Sequence, residues 1–108
     1  MGLIGDGAGK WKPVRIYANG QTATQSGSMH TDDGEWTFLY YSTRDWKPEY
    51  KGSTLYFAED KKELLKTVPY VSNQGVLAPA DIFHYAEAPS LEFKSMRTTV
   101  AYKLERIK

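Results

Sequence analysis

The fold of this chain is decided by residues 35–57, which read EWTFLYYSTRDWKPEYKGSTLYF. Two of the three Trp and two of the four Phe of the chain lie in this stretch. Aromatic side chains are among the apolar groups that gain most from burial. Within the stretch, Trp36–Ser42 alternates its side chains between two faces, as a β-strand does. Because apolar residues lie on both faces, we predict a central strand that is covered on both sides.

The flanking segments predict an antiparallel sheet. Asn19-Gly20 tolerates positive φ at both positions and is typical of a two-residue hairpin loop. Asp33-Gly34 indicates a second turn of the same kind. The first half of the chain is therefore predicted to be an antiparallel meander. The other segments whose composition favours strands are Val14–Ala18, Gln21–Thr24, Thr54–Phe57, Leu91–Phe93 and Thr98–Ile107.

One short helix is predicted in the second half of the chain. Asp60 and Glu63 have the spacing of a capping box at a helix N-terminus. The apolar stripe of this helix would consist of Leu64, Leu65 and Val68. Residues 79–85 are predicted to form one further helical turn. The resulting fold class is α+β, an antiparallel twisted sheet or small barrel of five to seven strands with one short helix.

The composition predicts one soluble domain. The net charge of +1 argues against strong attraction of the whole molecule to nucleic acid, and the absence of cysteine excludes disulfides and thiolate metal sites. We expect residues 1–10, with four of the nine Gly, to be a flexible lead-in and residues 11–108 to form a single α+β domain. A cytoplasmic location is expected because the sequence contains no signal peptide and no apolar span. The basic residues expected on a solvated strand face are Lys94, Arg97, Lys103, Arg106 and Lys108.

No residue is assigned a catalytic or metal-ligating role from the sequence. The segment Gly5–Lys10 lacks the spacing of a phosphate-binding loop, so no cofactor is predicted. His84 has Asp81 and Glu87 three positions away on either side, and a helical turn would bring both carboxylates beside it. Such a cluster fits a metal ion or a plain surface ion pair, and we favour the structural interpretation. His30 precedes a tight turn and is expected to be exposed.

The loop after the central strand carries the predicted binding site. Trp46 lies in a polar segment with Pro48, where no core periodicity requires a large ring. Trp, Tyr and Arg dominate the energetics of interfaces. We therefore predict a small non-enzymatic binding module, an accessory or inhibitor protein that recognises a partner protein or a small anionic ligand. The predicted contact residues are Arg44, Trp46, Lys47 and Tyr50.

Two other functions are kept as alternatives. Basic and aromatic residues alternate at several places, for example around Trp11 and Tyr17, which is also typical of barrels that bind single-stranded nucleic acid. The second alternative is a small nuclease-like hydrolase that uses His84. The polar segment Gln21–Thr24 is an exposed edge strand in this prediction, and an open edge of this kind would allow a homodimer to form.

Overall fold

The computed structural model describes residues 11–107, which fold into two antiparallel β-sheets. The predicted lead-in, residues 1–10, lies outside the described residues. The strands within the described range are β1 (Trp11–Gln21), β2 (Trp36–Tyr41), β3 (Thr54–Phe57), β4 (Leu64–Val68), β5 (Gly75–Pro79), β6 (Phe83–Ala86) and β7 (Arg97–Arg106). The larger sheet has the strand order β1-β7-β2-β5, and the smaller sheet has the order β4-β3-β6.

The chain crosses repeatedly between the two sheets. After β2 it enters the smaller sheet for β3 and β4, returns for β5, crosses again for β6, and ends in β7 between β1 and β2. An isolated bridge between His30 and His84 adds a short segment beyond β6. Two antiparallel sheets wound in this order have the topology of a jelly roll, an open sandwich and not a closed barrel.

The antiparallel architecture and the central position of the predicted strand are confirmed, but its two faces are not both buried. β2 lies between β7 and β5, with Phe38 opposite Tyr102 on one side and Leu77 on the other. The two faces of β2 differ in content. Thr37 and Tyr41 are buried between the sheets, whereas the larger rings on the opposite face are only half-buried. The interior of the sandwich therefore receives the smaller and more polar face of this strand.

The predicted helix is wrong, because residues 64–68 form strand β4. The local bonds of the expected cap exist, since Oδ1 of Asp60 accepts hydrogen bonds from the amides of Lys62 and Glu63 at 2.8 and 3.0 Å. They close a turn that returns the chain along β3, with Thr54 opposite Val68. A ladder with an existing strand outweighs the weak helix propensity of one short segment. The only helix in residues 11–107 is a 3₁₀ helix at Pro48–Tyr50.

Several other local predictions are also wrong, and each fails for a non-local reason. Asn19-Gly20 forms no hairpin, because β1 continues through it and pairs with β7 up to Gln21. The predicted meander is therefore absent. Of the strand predicted for Gln21–Thr24, only Gln21 lies in a strand, as the last residue of β1. Residues 79–85 contain the end of β5 and the start of β6 instead of a helical turn. Residues 91–93 form no strand.

The space between the sheets is unusually polar. The buried apolar residues are Tyr41, Tyr56, Tyr70, Ala80, Ala101 and Leu104, and the buried polar residues are Thr37, Thr54, Arg97, Thr99 and Lys103. Arg97 and Lys103 are each 1% exposed, which corrects the prediction that they lie on a solvated face. A buried charge costs free energy unless it is paired or hydrogen-bonded. The charged side chains in the interior of this small domain therefore require ion-pair or hydrogen-bond partners between the sheets.

Candidate metal centre

Both histidines of the chain meet one carboxylate between the sheets. His84 lies in the middle of β6, and His30 lies in the segment before β2 that bridges to it. The two imidazole centroids are 4.4 Å apart. Asp32 follows His30 by two positions and is fixed by its amide, which donates a hydrogen bond to the carbonyl of Ala80 at 2.7 Å. In an extended segment, residues two apart point to the same face, so His30 and Asp32 both face His84.

The two imidazole rings are oriented in the same way. Nδ1 of His30 lies 2.7 Å from the carbonyl of Ser28, and Nδ1 of His84 lies 2.9 Å from the carbonyl of Ile82. A carbonyl can only accept, so each Nδ1 carries a proton and donates it. Both Nε2 atoms therefore point at Asp32, at 3.4 Å for His30 and 3.3 Å for His84.

The carboxylate of Asp32 is held from the opposite side by residues of the larger sheet. Thr37 donates a hydrogen bond to Oδ2 at 2.9 Å, and Nζ of Lys103 lies 2.5 Å from Oδ1. Thr37 and Lys103 are opposite each other in the pairing of β2 with β7, so the sheet register fixes both contacts. The side chain of Asp32 is only 4% exposed. Its position is therefore determined by two sheets at once.

This environment keeps the cluster charged. Burial alone raises the pKa of Asp32, but hydrogen bonds from His84 and Lys103 outweigh burial and hold that pKa well below its usual value. Burial alone lowers the pKa of His84, but its hydrogen bond to Asp32 and the carbonyl of Ile82 reverse the direction and raise that pKa. Asp32 is thus an anion, which attracts positive charge to its carboxylate.

The geometry fits a metal ion. The ligand atoms that His30, Asp32 and His84 offer lie within 4.8 Å of one another. Ligands bound about 2.0–2.2 Å from one ion are themselves separated by roughly 3–3.4 Å. The separations of 3.4 Å from Nε2 of His30 to Oδ1 and of 3.3 Å from Nε2 of His84 to Oδ2 are of this size. Histidines that bind metals almost always donate their other ring N–H to a carbonyl or carboxylate, as both rings do here.

A cavity of about 320 Å³ connects this cluster to a second charged group, Arg97. Its guanidinium donates to the carbonyl of Gly52 at 2.8 Å and to Oε1 of Gln21 at 2.9 Å, with a weak contact of 3.5 Å to Thr54. The rings of Tyr41 and Tyr70 lie within 5.8 and 4.9 Å of it. No carboxylate of residues 11–107 forms an ion pair with Arg97. The guanidinium has five N–H donors, so donors remain for an anionic ligand.

The carboxylates predicted beside His84 are not its partners. His84 lies on a strand and not on a helical turn, so residues three positions away do not share its face. Glu87 instead accepts hydrogen bonds from the amides of Gly52 and Ser53 at 3.1 and 3.3 Å. Asp81 is exposed. The prediction that His30 is exposed is confirmed, since its side chain is 48% exposed although its Nε2 faces Asp32.

The four predicted binding residues lie outside the cavity. Arg44 and Lys47 are exposed, and Tyr50 is half-buried. Trp46 packs against Tyr50, Tyr70 and Phe93 with ring centroids 4.3–5.4 Å apart, and its indole N–H donates to the carbonyl of Lys51 at 2.9 Å. Trp46 therefore holds its loop onto the sandwich next to Arg97. The signal that could have revealed the cavity is the pair His30-x-Asp32, together with the single other histidine of the chain.

Comparison with known proteins gives no identification: no protein-family model matches the chain, and no curated protein matches it either. None of the helices in the described range has the length and apolarity that crossing a membrane requires. Any functional conclusion therefore rests on the geometry of the cavity.

Proposed function

We propose that this protein is a mononuclear non-haem iron oxygenase with His30, Asp32 and His84 as its metal ligands. Two imidazoles and one carboxylate with open coordination positions are the ligand set typical of Fe(II) oxygenases. The observation that carries this proposal is the convergence of both Nε2 atoms on Asp32, with each Nδ1 fixed by a carbonyl. This proposal departs from the non-enzymatic function predicted from the sequence.

Arg97 supports the choice of an oxygenase over a hydrolytic zinc enzyme. Reduction of O₂ to the oxidation level of water takes four electrons, and a substrate C–H bond supplies two when it becomes C–OH. A 2-oxo dicarboxylic acid supplies the other two. Its 2-oxo acid end can chelate the metal, and its distal carboxylate can bind the remaining donors of Arg97 in the same cavity. A buried guanidinium without a carboxylate partner in residues 11–107 suits that role.

The reaction proposed here balances. The C1–C2 bond of the 2-oxo acid breaks, CO₂ leaves, and one oxygen atom of O₂ enters the new carboxylate. The other oxygen atom enters the substrate C–H bond as a hydroxyl group. When bound, the ferrous ion supplies the site at which O₂ is bound and reduced. The chain holds the Asp32 ligand in place through Thr37 and Lys103 and would anchor the acid through Arg97.

The test is metal-dependent binding and turnover of 2-oxoglutarate. We expect the protein to bind one equivalent of Fe(II) without air, or of Mn(II), and to bind 2-oxoglutarate only when metal is present. His30→Ala and His84→Ala should each weaken metal binding by ~100-fold or more, since each removes one of three ligands. The matched control is Asp33→Asn, an exposed neighbour whose partner is Arg15. In air, slow CO₂ release from the ferrous protein should accompany binding.

Other results would contradict the proposal. A wild-type protein that binds no divalent ion, or alanine variants that bind it as tightly as the wild type, would exclude the metal centre. Binding of zinc with metal-dependent hydrolysis and no effect of 2-oxoglutarate would favour a hydrolase. Nuclease activity that is lost in His84→Ala but resists chelators would favour the nuclease alternative.

Recognition of a partner protein or small anionic ligand through the Arg44–Lys51 loop stays a separate prediction. Arg44 and Lys47 are exposed on that loop and available for such contacts. Arg44→Ala with Lys47→Ala should abolish partner capture and leave metal binding unchanged, because neither residue lines the cavity. Single-stranded nucleic-acid binding would instead show a steep decrease of affinity with salt.

A further inference from the structure

We propose that Lys103 is a positioning residue of this metal centre that holds the carboxylate of Asp32 in place and favours the divalent state of the ion. The proposal rests on the proposed function, since it assigns a role within the same site. Apart from the two imidazoles, Lys103 is the only basic side chain among residues 11–107 within ion-pair distance of Asp32. At 1% exposure its ammonium has no access to solvent.

Lys103 makes the shortest contact of the Asp32 carboxylate. Its Nζ lies 2.5 Å from Oδ1, which also lies 3.4 Å from Nε2 of His30. Oδ2 accepts a hydrogen bond from the hydroxyl of Thr37 at 2.9 Å and lies 3.3 Å from Nε2 of His84. The ammonium is therefore separated only by this carboxylate from the position that both imidazoles face.

The location of Lys103 makes this arrangement rigid. Its backbone pairs with Thr37 of β2 on one side and Arg15 of β1 on the other, so it sits in the centre of the larger sheet. Its ammonium also lies 5.1 Å from the ring of Tyr17. The ladders fix the backbone of Lys103, and burial together with the contact to Asp32 holds its side chain. The ammonium is therefore a fixed charge beside the metal.

A fixed positive charge opposes oxidation of the ion. Oxidation of Fe(II) to Fe(III) adds one positive charge, which the ammonium repels. At the separations that one shared carboxylate allows, a unit charge in a protein interior can shift such an equilibrium by ~10-fold or more. Lys103 would thus slow the loss of ferrous ion in air while no substrate is bound.

The experiment follows conversion of ferrous to ferric protein in air by electron paramagnetic resonance. The charge is removed in Lys103→Met and in Lys103→Gln, which keeps a hydrogen-bond donor, and is retained in Lys103→Arg. The matched control is Lys66→Met, which changes an exposed lysine of β4. We expect ferric protein to form about ten-fold faster in both neutral variants. Lys103→Arg and Lys66→Met should oxidise at the wild-type rate.

The outcomes separate this proposal from the proposed function. A wild type that binds no Fe(II) refutes the metal centre itself, and with it the role of Lys103. A wild type that binds Fe(II), with neutral variants that oxidise no faster, refutes only the role of Lys103. An arginine variant as fast as the neutral ones excludes the charge as the cause. Neutral variants that fail to fold even with Zn(II) bound assign Lys103 to packing and overturn the proposal.

Discussion

Replacement of Arg97 by lysine tests whether the cavity holds a dicarboxylic acid. The guanidinium uses two short hydrogen bonds, to Gly52 and Gln21, and keeps donors free for a two-point contact with a carboxylate. A hydrogen bond that involves a charged group contributes about 1.5–3 kcal/mol. Lysine keeps the positive charge but lacks the two parallel N–H donors of a guanidinium, so one of the two hydrogen bonds to the distal carboxylate is lost. We expect the Kd for 2-oxoglutarate to rise by roughly 10- to 150-fold.

The assay is calorimetric titration of 2-oxoglutarate into Mn(II)-loaded protein. Pyruvate serves as an internal control, because it can chelate the metal but has no distal carboxylate for Arg97. Its affinity should be equal in the wild type and in Arg97→Lys. Arg44→Lys makes the same chemical change on the exposed loop and should alter neither affinity. An unchanged affinity for 2-oxoglutarate in Arg97→Lys, or an equal loss for pyruvate, would refute the assignment of Arg97 as the carboxylate anchor.

Two further predictions concern stability. Trp46→Ala should lower the free energy of unfolding, measured by urea titration, by about 3 kcal/mol, because the Trp46 ring packs against three other rings. The control Lys47→Ala should change it by less than about 0.5 kcal/mol. Equal effects of the two substitutions would mean that the ring cluster does not hold the loop. Burial raises the pKa values of Tyr41 and Tyr56 above 10.0, so the folded protein keeps these protons where the unfolded chain loses them. Their contribution to stability should be complete below the unfolded pKa and decrease as the pH rises above it, with a smaller decrease in Tyr41→Phe.

The jelly roll also explains why local patterns misled on several elements. The turn at Asp60 forms its expected side-chain bonds, yet a strand follows because β3 offers a partner. Asn19-Gly20 has the composition of a hairpin, yet β7 is available to pair with β1 without interruption. In both places a partner distant in sequence supplied a ladder, and no window of neighbouring residues contains that information.

The inward face of β7, which carries a residue of the candidate site, could not be predicted from neighbouring residues either. Its period-two alternation is visible in the sequence, but apolar preference alone would place Val100 and Tyr102 inside. The structure buries Thr99 and Lys103 instead, because that face meets Asp32 across the cavity. A charged side chain is stable in the interior only when its partner is there too. That partner lies about seventy positions earlier in the chain.

The sequence by itself determined the strand character of residues 36–41, 54–57 and 97–106, because side-chain alternation is a local property of an extended chain. It also determined that a metal site in this chain has no thiolate ligand, since the chain has no cysteine. Only the tertiary structure decided which strands are neighbours and which face of each points inward. The tertiary structure also placed His30 and Asp32 beside His84. These residues are too far apart in sequence for a local pattern to show that they are neighbours, and the crossover between the two sheets brings them together.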